Sequence, residues 1–195
     1  MIHGERGVAL IDVVSAAALC AVMATFAVPV VGGTFDRERA IVGAQSLAAA
    51  VQRARIEALE RSASVALRLD LIDGRACFQL FADGNGNGVL QRDIDRGIDV
   101  PLGAPDWLDH HARDVSLRIN QAVPVIGGSG SLPAGSDPLR IGSTSLLAFS
   151  PLGSSTSGTL YVSATNGPQM AIRVYGATGR VRVLMFDAQA KAWLP

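Results

Sequence analysis

Between Val8 and Val31 the chain carries a single charged side chain, Asp12. A helix rises about 1.5 Å per residue, so a run of this length can cross a hydrocarbon core of roughly 30 Å. Arg6 stands just before it and favours a cytoplasmic N-terminus. Two ordinary explanations fit poorly. A secretory signal peptide has a shorter apolar core and a small-residue cleavage site, and no clear one follows here. A plain signal anchor fits the length, but it leaves a carboxylate in lipid at a cost of roughly 3 kcal/mol unless a partner is supplied.

The rest of the chain is different. Its 195 residues allow one compact domain beside the apolar run. With 17 Lys and Arg against 17 Asp and Glu, neither a basic nucleic-acid coat nor an acidic tail is the main theme. The low charged fraction of 17% and the 21 glycines argue against a disordered chain or a long soluble coiled coil. Cys20 lies in the apolar run and Cys77 far beyond it, so a disulfide between them is not expected.

From Phe35 to Arg61 the pattern is helical. Ala40, Ala44, Leu47, Val51, Ala54 and Ala58 recur at steps of three and four and share one face. This alanine-rich stripe suits close packing on a flat sheet or another helix. Arg37, Arg39, Arg53, Arg55, Glu57, Glu60 and Arg61 lie largely elsewhere, as on a solvated face. From Ser64 onward the pattern becomes short strands and turns. Ser64–Leu69 and Ala76–Phe81 flank an Asp73-Gly74 hairpin signal. Later strand candidates are 115–120, 146–150, 159–163, 170–175 and 181–186. Sequential short strands without helices between them point to antiparallel sheets. Residues 127–138, rich in Gly, Ser and Pro, read as a mobile loop.

Two stretches carry a family resemblance. Gly7 followed by Val8-Ala9-Leu10-Ile11-Asp12 is similar to the type IV pilin signature, in which a polar leader ends in glycine and an acidic residue stands fifth after the cut. The family more often has phenylalanine and glutamate where this chain has Val8 and Asp12. The resemblance implies cleavage after Gly7 by a prepilin peptidase, N-methylation of Val8, and pairing of Asp12 with the new amino terminus of a neighbouring subunit. Pro29, 22nd after that cut, falls where pilin-like helices often carry a proline. Farther on, Phe149-Ser150-Pro151-Leu152-Gly153, Gly158-Thr159-Leu160 and Gly179-Arg180-Val181-Arg182 resemble the GspH/FimT group of minor pseudopilins.

The resemblance implies an α+β, pilin-like fold: a leader over 1–7, a transmembrane helix over 8–32, an amphipathic stem over 33–62 and a periplasmic β-rich domain over 63–195, packed as an antiparallel sheet on the stem. It further implies a single-pass inner-membrane protein, assembled into a type II secretion pseudopilus or a type IV pilus. Its partners would be the peptidase, other pseudopilins or pilins, the inner-membrane assembly platform and membrane lipid. In FimT-like pilins of DNA-uptake systems an arginine pair like Arg180 and Arg182 resembles a DNA-binding motif, and Arg173 on the preceding strand could join it. The alternative for these arginines is a turn glycine followed by an outward-facing strand.

Asp83-Gly84-Asn85-Gly86-Asn87-Gly88 looks like the start of a calcium loop, with oxygens at alternate positions. The twelfth position, where an acid is required, is Ile94, and the nearest acids are Asp93 and Asp95. Asp83, Asn85, Asn87, Asp93 and Asp95 are therefore candidate calcium ligands out of register, and the alternative is a turn that caps its own backbone. Asp106, Asp109, His110 and His111 crowd around Trp107, which points to local packing. Ser154, Ser155 and Ser157 lack a G-x-S-x-G elbow and no nucleotide-binding glycine loop is present, so neither enzymatic activity nor an organic cofactor is expected.

Overall fold

The computed structural model describes residues 10–142 and 144–195, with residues 24–32 described by their backbone alone. Gly7 and Val8 lie outside the described residues. In chain order the elements are α1 (Leu10–Arg61), β1 (Val65–Ile72), β2 (Arg75–Ala82), α2 (Gln91–Asp95), β3 (Val100–Pro101), β4 (Asp106–Trp107), α3 (Leu108–His111), β5 (Val115–Leu117), β6 (Val123–Pro124), β7 (Ser131–Leu132), β8 (Leu139–Arg140), β9 (Leu146–Phe149), β10 (Gly158–Ala164), β11 (Gln169–Tyr175), β12 (Arg180–Asp187) and β13 (Ala192–Leu194). This is the α+β architecture that the change of periodicity at Ser64 implies, a long helix followed by antiparallel sheets.

The chain divides into two units, one up to Phe35 and one from Asp36 onward. In the first, Asp12 lies in the opening turn of α1 and is exposed. Ser15 Oγ donates to the Ile11 carbonyl at 2.6 Å, the back-bonding a hydroxyl makes within a helix. Among the described residues no helix is long and apolar enough to cross a membrane. The span expected over 8–32 therefore finds no support in the described part of the chain.

In the second unit the predicted stripe is the buried face of α1. Ala40, Ala44, Val51, Ala54 and Ala58 are fully buried, with Leu47 at 1% exposure. Small side chains let the helix approach closely. Gly43 shows how closely, because a Cβ there would lie 2.5 Å from Val115 Cγ1. Against this face stand Val65, Leu67, Phe78 and Leu80 from one sheet and Leu160, Val162, Ile172 and Val174 from the other, in one core.

The first sheet runs β3-β2-β1-β9, with β4 also on β2. Its central hairpin turns at Asp73 and Gly74, whose φ values of 52° and 75° fit the type I′ turn that an Asp-Gly pair favours. The second sheet runs β13-β12-β11-β10-β5, with β8 also on β10. Every residue of β10 is buried, because a second core covers the other face of this sheet. It contains Ile119, Val123, Leu132, Tyr161, Ala171, Leu184 and Phe186, with Trp193 against it. Trp193 Nε1 donates to the Pro124 carbonyl at 2.9 Å.

Two expectations are corrected. The stretch 127–138 is not wholly a loop: Ser131 and Leu132 form β7, which pairs with β6, and Leu132 is buried in the second core. One apolar residue among glycines and serines was enough to anchor that segment. The strands are also interrupted by two single-turn helices, α2 and α3, too short to leave a periodic signal. Cys20 is exposed, Cys77 is buried, and both are free thiols.

Candidate functional site

The β11–β12 hairpin sets out the arginines. Its register places Arg173 opposite Arg182 and Tyr175 opposite Arg180, so all four share the face of the sheet turned away from α1. The turn between the strands is held from both sides. Gly179 N donates to the Tyr175 carbonyl at 2.8 Å, and Ser155 N donates to the Gly176 carbonyl at 2.7 Å. Gly179 has φ 59°, and a Cβ there would lie 2.7 Å from the Gly153 carbonyl oxygen and 3.3 Å from Arg55 Nε. Only glycine meets both demands. The Phe149–Gly153 segment and the Gly179-Arg180 segment, far apart in sequence, thus form one tight junction.

Beside this junction is a cavity of about 690 Å³, lined by Arg55, Tyr175, Ala177, Thr178, Arg180 and Arg182. Of the three arginines expected to act together, Arg180 and Arg182 are among the residues lining this space. Arg173 does not line it. Its Nη1 donates to Thr159 Oγ1 at 2.9 Å and its guanidinium lies 5.7 Å from the Tyr175 ring centre. Sequence reasoning missed Arg55, which helical spacing puts on a solvated face. Only the tertiary fold brings it over the β11–β12 turn. Among the described residues, none of Arg55, Arg180 and Arg182 stands within ion-pair distance of a carboxylate.

The Asp83 loop is closed by its own hydrogen bonds. Asp83 accepts from the backbone N–H groups of Asn85, Gly86 and Gly88 at 3.1, 2.8 and 2.7 Å. Burial by itself would push the Asp83 carboxyl up, but these donors outweigh it and hold the group below its usual range. Asn85 Oδ1 accepts from Asn87 N at 3.2 Å, Asn87 Nδ2 donates to Asp93 Oδ2 at 3.0 Å, and Asp95 accepts from Gln91 at 2.8 Å. Asp99, which the sequence reading passed over, is a second anchor, 1% exposed and accepting from Gly84 N and Leu90 N. Among the described residues no group of three or more His, Cys, Asp or Glu is placed to hold a metal.

The Asp106 cluster is a set of polar contacts on the edge of β2. His111 Nε2 lies 2.8 Å from Asp106 Oδ2 and His110 Nδ1 lies 3.7 Å from Oδ1. Arg75 pairs with Asp109 at 2.6 Å and sits 4.4 Å from the Trp107 ring centre. Burial would raise the Asp106 carboxyl, but the hydrogen bonds from His111 and Trp107 N hold it down. These contacts pin α3 to β2.

No curated protein and no solved structure gives a significant match to the chain. Residues 43–179, from the buried half of α1 to the junction glycine before Arg180, match the family described as type II transport protein GspH. With its helix-backed antiparallel sheets and its paired Phe149–Gly153 and Gly179-Arg180 segments, the chain belongs to the GspH family of structural pseudopilins of type II secretion.

Proposed function

We propose that this pseudopilin is made with a leader cut after Gly7 by a prepilin peptidase, methylated at Val8, and stored as a single-pass inner-membrane protein with its β-rich domain in the periplasm. From there the assembly platform extracts it to the tip of a pseudopilus, among other pseudopilins. The carrying observation is Asp12: the one charge in the apolar run, exposed in the first turn of α1. A methylated amine on a neighbouring subunit would neutralise it. In low dielectric such a pair is strong enough to set register, and it offsets the cost of burying the carboxylate. Mass spectrometry of the mature protein should find methyl-valine at Val8, and Asp12→Ala should block incorporation into the fibre. An intact Met1, with normal incorporation of Asp12→Ala, would overturn the proposal.

The arginine cavity favours a second reading, a FimT-like subunit that binds DNA at a pilus tip. Cationic side chains without carboxylate partners beside an open cavity are the electrostatic footprint of a phosphate contact. Binding through so few arginines would be weak, salt-sensitive and indifferent to sequence. Arg180→Ala combined with Arg182→Ala should abolish retention of DNA in a pull-down, and unchanged retention would dismiss the reading.

A further inference from the structure

We infer that Arg55, from the helix, is the third anchor of a phosphate-binding site that it forms with Arg180 and Arg182, and this rests on reading those two as phosphate contacts. Arg55 lines the same cavity as they do. Its Nε is buried and makes no hydrogen bond among the described residues. Arg55 as a whole is half-buried, but an N–H shut off from water without an acceptor is costly, and native folds rarely keep one without a reason. Arg55 from the helix and Arg180 and Arg182 from the sheet meet around the end of the β11–β12 turn, so like charges line one space with no carboxylate paired to them among the described residues.

A phosphate group answers both conditions. The guanidinium is a planar fork that meets two anionic oxygens at once. Tyr175 adds an aromatic face at the cavity wall, suited to a base or sugar flanking the phosphate. Gly179 is part of the device. The absence of a side chain there lets Arg55 come down onto the turn, 3.3 Å from where a Cβ would be. A phosphate so held would tie the helix to the β11–β12 turn.

The test uses the full-length protein in detergent, titrated with a labelled single-stranded oligonucleotide and, separately, with inorganic phosphate. Arg55→Gln should weaken oligonucleotide binding about tenfold and shallow the salt dependence by about one phosphate contact. Arg61→Gln, an exposed arginine on the same helix, should bind as the wild type does. Arg55→Lys keeps the charge without the fork and should fall between, so it replaces Arg55→Gln if the latter fails to fold. A rise in melting temperature with inorganic phosphate, absent in the Arg55 variants and without oligonucleotide binding, would support the site and identify free phosphate as its ligand. Normal binding by both Arg55 variants, with loss on changing Arg180 and Arg182, would remove Arg55 and leave the pair standing. If the wild type binds neither probe, both readings fail.

Discussion

At the scale of single residues, Gly43 sets how near the helix comes to the sheets. A Cβ there would lie 2.5 Å from Val115 Cγ1 and 3.2 Å from Val115 Cβ. A β-branched neighbour cannot rotate out of the way at low cost. Gly43→Val should therefore destabilise the domain by about 3 kcal/mol, whereas Ala49→Val on the exposed side should change it little. Thermal melts of the two variants check this, and equal melting temperatures would refute it. Residue-level legibility followed the same divide. The alanines of the stripe were readable because helical spacing alone assigns their face. Arg55 was not, because its role depends on a turn more than a hundred residues away in sequence.

At the scale of elements, the segment from Asp83 to Asp99 is organised by carboxylates that accept backbone N–H groups. Charged acceptors make the stronger hydrogen bonds, so Asp83→Ala should cost about 2 kcal/mol at neutral pH. The folded state holds the Asp83 carboxyl below its ordinary value. Its contribution is therefore present above the ordinary carboxylate range and is lost as pH falls through the lowered folded value. Urea melts from neutral to acid pH should show wild type and variant converging only at the acid end, and a constant gap would contradict this. The Asp73-Gly74 hairpin and the longer strands were legible because turn chemistry and alternation are local signals. The two-residue strands were not, since two residues carry no period. Asp99 was missed because its partners, Gly84 and Leu90, are defined by the closed loop and not by spacing.

At the scale of the whole molecule, the core begins at Ala40, and every residue named in it lies in the unit from Asp36 onward. A chain consisting of Asp36–Pro195 should fold by itself, with one cooperative unfolding transition by calorimetry, and a broad non-cooperative melt would show that the preceding segment is needed. Membership of the GspH family places the protein in the type II secretion pseudopilus of the envelope. The second sheet is clothed twice, by the helix on one face and by the β6–β7 hairpin with Trp193 on the other. The outer garment can consequently be restyled, by lengthening the hairpin tip or exchanging its surface side chains, without altering the seam where helix meets sheet. Variation among descendants should gather on that outer layer, leaving the core between helix and sheets untouched.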